Sequence, residues 1–305
     1  MDITVLFEAL SEAWPFLGAL VIAGLLAGFA GGLFGIGGGV ILVPVLYALL
    51  GFAEVSEDIR LPMAIGTSLA VIIVTAASSL NAHRRSGEVD GPLLRAWLPW
   101  IGLGAVGSGF VAEILPKQLL ALIFASGAIY IGVSRLTKRE KDQAPNKLIA
   151  EPREGHEALK ENSPQEESKQ ANSHWAERMS WALGLATGFF SSLMGLGGGA
   201  AGVLVMGWTG HSMHRAVATA SGFGLGVAIP GAAGFIVAGW HSSQLPPGSL
   251  GFVSFPAFVI LGLMTSLTAP LGARTAHIIS GRSLSRGFGL YILIVAIFMI
   301  REALI

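Results

Sequence analysis

The sequence predicts an all-α polytopic membrane protein. It is read as two internal repeats in inverted orientation, each a glycine-broken, hairpin-like segment followed by three transmembrane helices. Three observations predict this fold. Of 305 residues, 52% are hydrophobic and only 12% are charged, where soluble domains carry about 25% charge, and the mean hydropathy is +0.67. Residues 24–39 recur as residues 184–199 with nine of sixteen aligned positions identical, the mark of an internal duplication. Matching loops of the two halves carry their basic residues on opposite sides, as set out below.

Residues 1–15 form an acidic lead-in (Asp2, Glu8, Glu12) that ends in Trp14-Pro15, a pairing suited to the membrane interface. With no early Lys or Arg it lacks the basic start of a signal peptide. The first repeat covers 16–137. Residues 16–34 are apolar and long enough to span. The run Gly35-Ile36-Gly37-Gly38-Gly39 must then break the helix, since each interior glycine costs about 1 kcal/mol. Residues 40–51 are apolar but short of the roughly 20 residues a crossing takes. The stretch 16–51 therefore reads as a broken hairpin, or as two short helices meeting within the membrane. Spans follow at 62–82, 93–114 and 118–137. Residues 138–176 are rich in Glu, Lys, Gln, Asn and Ser; this composition cannot bury a core and predicts a disordered cytoplasmic linker. The second repeat, 177–305, follows the same plan. It has an apolar 179–194, a break at 195–199, a short 200–210, and spans at 216–240, 251–273 and 284–303.

Charge sets the expected orientation. Arg84, Arg85 and Arg95 flank one loop, and Arg135, Lys138, Arg139 and Lys141 flank the linker; both are cytoplasmic by the positive-inside rule. In the second half Arg215 precedes the first span, and Arg274, Arg282 and Arg286 separate the last two. The loop at 240–250, which matches the Arg84-Arg85 region, has no Lys or Arg and reads as external. The halves are therefore expected to be inverted repeats, an architecture common among secondary transporters.

Glycine breaks at membrane depth leave backbone groups that only protein or a water-filled cavity can cover. The helix end after a break offers free N–H donors and a partial positive charge. The ends at Gly35, Gly37, Gly38 and Gly39, and at Gly195, Gly197, Gly198 and Gly199, are expected to converge on a small anion at the midplane. Close helix packing is the competing explanation, and it is the expected one for Gly24, Gly28 and Gly32, which fit the small-x-x-x-small pattern. Thr67, Ser68, Thr219 and Ser221 are hydroxyls early in matching helices. They can donate to an anion's oxygens or bond back to their own helix carbonyls. Arg215 can pair with an oxyanion or simply set topology. His83 and Asn81 read as helix-end residues.

Other classes find little support. The chain has no cysteine, so disulfides and thiolate chemistry are excluded. The 19 Lys+Arg and 19 Asp+Glu balance, and no basic field invites nucleic acid. No Walker A sequence follows the glycines. Almost no charged residue falls at the centre of a span, which argues against an intramembrane enzyme. The same absence leaves a coupling ion without an obvious carrier. No catalytic residue, metal or cofactor is expected; the partners are a small anion and the lipid bilayer.

Together, these residues resemble the sulfite exporter TauE/SafE family of membrane permeases. The resemblance rests on Gly28-Phe29, Leu33, Gly35 and Gly37-Gly38-Gly39 with Val43-Pro44, then Ala64, Gly66-Thr67-Ser68, His83 and Gly87-x-Val89-Asp90. It continues through the second glycine motif and Ala216-x-Ala218-Thr219. It implies export of sulfite or an organosulfonate across the cell (inner) membrane, by a multi-pass permease that is not an enzyme. A carrier or channel for another small anion is the alternative. The second half departs from the first: Ala218 stands where Gly66 matches, and no proline matches Pro44. These differences allow an asymmetric site.

Overall fold

The computed structural model describes residues 3–34, 39–85, 89–137, 180–199, 202, 206, 213–276 and 281–304. The linker predicted at 138–176 and the glycines Gly35, Gly37 and Gly38 lie outside the described residues. Among the described residues the first half has five helices: α1 (Ile3–Phe34), α2 (Gly39–Phe52), α3 (Glu57–Arg85), α4 (Gly91–Ile114) and α5 (Lys117–Thr137). The second half contributes α6 (Ser180–Leu193), α7 (Met213–Ala238), α8 (Phe255–Ala276) and α9 (Gly281–Leu304). Two short antiparallel strands, β1 (Ser249–Leu250) and β2 (Val253–Ser254), form a hairpin before α8.

The acidic lead-in is helical from Ile3 and runs into the first span as one helix, with Pro15 inside it. Among the described residues five helical stretches are long and apolar enough to cross a membrane: four lie within α3, α4, α5 and α8, and the fifth, Thr219–His241, runs along α7 and three residues past its end. The segments Pro15–Gly31, Gly39–Phe52 and Trp181–Leu193 are apolar but shorter. The protein is a multi-pass membrane protein, and its spanning segments satisfy their backbone groups within helices, as hydrocarbon requires.

Burial sorts the helices. The apolar window of α3 is 72% buried, against 28% for α8, so α3 belongs to the interior and α8 to the rim. On α8, Val259, Leu263, Leu267 and Leu271 are exposed at four-residue spacing, a stripe on one helix face that suits lipid. Partners are exchanged between halves: α1 packs along α8, α6 along α4, α5 against α9, and α3 against α7. Glycines make the first two seams close. A Cβ at Gly24 or Gly28 would run into Met264 or Thr265 of α8. One at Gly184 or Gly188 would run into Trp100 or Ile101 of α4. The packing role expected of Gly24 and Gly28 is therefore the one they have.

The hairpin was not legible in advance: residues 251–254 were expected to begin a span. Gly251 takes φ +54° against Ile236, and the Phe252 N–H donates to Phe235 O at 3.1 Å. The chain thus pairs sideways before α8 can start.

Candidate functional site

The site is built on α3 and α7, which run antiparallel in contact. Gly66 lies against Phe235, Leu69 against Gly231 and Ala76 against Gly224, while Ile72 clusters with Ala228. This register sets Thr219 level with residue 81, fourteen residues along α3 from Thr67. At 1.5 Å per residue the two threonines mark levels about 20 Å apart.

The second glycine break inserts beside this pair, and its geometry follows from helix termination. α6 ends at Leu193. The Leu196 N–H donates to Ser191 O at 2.8 Å and the Gly195 N–H to Ser192 O at 2.9 Å. Gly195 has φ +61°. This is the Schellman arrangement, with the left-handed residue one past the cap. The loop then turns back on itself, and the Gly202 N–H donates to Gly198 O at 2.8 Å to open the next helical turn.

The loop is tightly clasped. Gly197 faces Ile72, and Gly198 faces the Phe223 carbonyl and Val227. Gly39, the last residue of the first glycine run, abuts the Gly195 carbonyl and Ile72. Ser68 Oγ donates to that same Gly195 carbonyl at 3.3 Å. The two breaks therefore meet, at the level of Ile72, between Thr67 and Thr219. Gly199 differs from its neighbours: among the described residues, a Cβ there would meet nothing within 4 Å.

The other expected residues sort as follows. Thr67 and Thr219 are fully buried, yet neither hydroxyl turns to its own helix. Thr67 Oγ1 accepts from the Ser254 N–H at 3.0 Å, and Thr219 Oγ1 accepts from the Asp90 N–H at 3.0 Å. Ser221 is half-buried on α7. Arg215 lies in the first turn of α7, and its side chain is outside the described residues.

Sequence reasoning passed over a buried hydroxyl pair on the α4–α6 seam. Ser108 Oγ donates to Ala105 O at 2.7 Å and lies 2.7 Å from Ser192 Oγ, which is itself 3.2 Å from Ala105 O. Serines among small residues carry no signal of their own; the matching of α4 with α6 makes them partners. Ser108→Ala and Ser192→Ala are each expected to cost about 1 kcal/mol. The double variant is expected to fall short of additivity by about 0.5–1 kcal/mol, read as melting shifts in detergent.

Comparisons with known proteins agree with this architecture. A family model, "Sulfite exporter TauE/SafE", matches residues 20–299. A protein of Haemophilus influenzae described as "Probable membrane transporter protein" is 30% identical over 286 residues, covering 94% of this chain and 98% of its own. One of Methanocaldococcus jannaschii, also described as a probable membrane transporter protein, is 23% identical over 280 residues, covering 87% and 88%. No solved structure matches.

Proposed function

This chain belongs to the sulfite exporter TauE/SafE family of membrane transporters, and from that membership we propose that it is a secondary carrier for a small sulfur oxyanion, sulfite or an organosulfonate. It works in the cell (inner) membrane by alternating access, moving its substrate outward. The site lies where the two glycine breaks meet, and the two halves move around it as inverted repeats.

The observation that carries this reading is the meeting of Gly39 with the Gly195 carbonyl, which Ser68 also holds, midway along the α3–α7 pair. Two interrupted helices converging at the centre of a bundle form the usual ground plan of a carrier site. A helix start that follows a glycine break is a place where an anion can be held. Gly199, with open space at its Cα, is the point of approach. α1 packs on α8 and α6 on α4, so each helix that leads into a break is carried by a helix of the other half.

The test is flux in proteoliposomes with sulfite, sulfoacetate, taurine, sulfate and chloride. Saturable counterflow of a sulfur anion is expected. Gly199→Val is expected to cut it at least about tenfold with little change in melting temperature, because the added Cβ meets none of the described residues within 4 Å while the side chain would occupy the approach to the break. Flux that does not saturate would point to a channel, and movement of chloride alone would sink the substrate assignment. Full flux in Gly199→Val would remove the break from the pathway.

A further inference from the structure

A second matched motif lies outside the glycine duplication. Gly87-Glu88-Val89-Asp90-Gly91-Pro92 pairs with Gly251-Phe252-Val253-Ser254-Phe255-Pro256. Each leads into a helix. Asp90 caps α4, its side chain accepting from the Leu93 N–H at 3.1 Å, and Ser254 immediately precedes α8. At the same motif position, each backbone N–H is given to a threonine of the other half: Asp90 to Thr219 and Ser254 to Thr67, both at 3.0 Å. The threonines also match, in Ala64-Ile65-Gly66-Thr67 and Ala216-Val217-Ala218-Thr219. The two bonds are therefore equivalents under exchange of the halves. They sit at opposite ends of the antiparallel α3–α7 pair, about 20 Å apart, with the glycine breaks between them.

Each bond sits at the start of a helix that packs along a helix leading into a glycine break. Ser254 starts α8, α8 carries α1 along its length, and α1 leads into the first glycine break. Asp90 starts α4, α4 carries α6, and α6 ends in the second break. A neutral hydrogen bond contributes little net free energy, so it can be broken and remade thermally without loss of the fold.

We propose that Thr67 and Thr219 are paired clasps, each closing one end of the central helix pair by holding the helix-capping loop of the opposite half. Releasing the Thr219 clasp frees the loop that caps α4; releasing the Thr67 clasp frees the hairpin that leads into α8. The proposal rests on the carrier reading above and deepens it, giving alternating access two named latches. Both threonines are positioning residues: their Oγ1 atoms accept from the loops, and they act on the site through the capping loops of α4 and α8.

The chain has no native cysteine, so single reporters can be placed at the matching positions Val89 and Val253. The readout is the rate at which Val89→Cys or Val253→Cys reacts with a water-soluble maleimide in the full-length protein. Thr219→Val is expected to raise the rate at Val89→Cys about tenfold, the value of one lost neutral hydrogen bond, with Val253→Cys unchanged. Thr67→Val is expected to raise the rate at Val253→Cys by a smaller factor, since Phe252 still donates to Phe235 there, with Val89→Cys unchanged. Thr219→Ser and Thr67→Ser keep the acceptor and are expected to label like the parent. Ser254→Pro removes the donor instead of the acceptor, reproduces the Thr67→Val pattern, and serves if Thr67→Val does not fold. Equal increases at both reporters, or none, would overturn the clasps. The labelling needs no substrate. Reciprocal labelling without sulfur-anion flux would leave the clasps standing and remove the substrate assignment; flux without reciprocal labelling would do the reverse.

Discussion

Gly198→Ala is expected to destabilise the protein by about 2–5 kcal/mol and to abolish transport, whereas Gly199→Ala, one residue on, is expected to stay within about 0.5 kcal/mol of the parent. Two costs combine at Gly198. Its φ is +72°, a left-handed conformation that costs an L residue about 1–2 kcal/mol. Its new methyl would lie 2.7 Å from the Phe223 carbonyl oxygen and 2.7 Å from Val227. Val227 can shift, but the carbonyl belongs to the backbone of α7 and cannot move without disturbing the helix; such overpacking costs about 1–3 kcal/mol. At Gly199 neither cost applies, because nothing lies within 4 Å of the added atom. Melting in detergent, read beside flux, checks the pair. Equal melting temperatures for the two variants would mean that Gly198 does not press on the Phe223 carbonyl of α7 as described.

Gly109→Val and Gly234→Val are each expected to cost about 3 kcal/mol or more by separating α4 from α7. The crossing is mutual. A Cβ at Gly109 would lie 2.5 Å from the Gly234 carbonyl carbon, and one at Gly234 would lie 2.5 Å from Val106 O. Backbone meets backbone, so no rotamer change relieves the clash. Lipid tails are as apolar as the helix surfaces, and association within a membrane therefore depends on such close approach. Gly107→Val is the control on the same helix, since a Cβ there meets nothing within 4 Å; it is expected to remain within about 0.5 kcal/mol. A Gly109→Val protein that melts like Gly107→Val would refute the crossing.

Features that depend on a short run of residues could be read ahead of the structure. The spans at 62–82, 93–114 and 118–137 lie within α3, α4 and α5, because hydropathy over twenty residues is enough to place a helix in a bilayer. The break after residue 194 is present, since consecutive glycines tolerate the positive φ that ends α6. The threonines have partners that no neighbouring residue announces. Local chemistry offered Thr67 and Thr219 an anion or their own helix carbonyls. Their actual partners stand 187 and 129 residues away. The matching Gly-x-Val motifs before α4 and α8 were the available signal, and their value lies in being read against the threonines of the opposite half.

The sequence by itself determined that this chain lives in a membrane, where its helices run and where glycine interrupts them, because hydrophobic length and backbone freedom are properties of neighbouring residues. The tertiary structure alone decided which faces touch. Gly39 reaches the Gly195 carbonyl, Gly109 crosses Gly234, and each threonine serves the other half's loop. Those pairings arise from helices docking over distances that no local pattern encodes: in a bilayer the energy lies in close packing and buried hydrogen bonds, and both exist only once the partners have met.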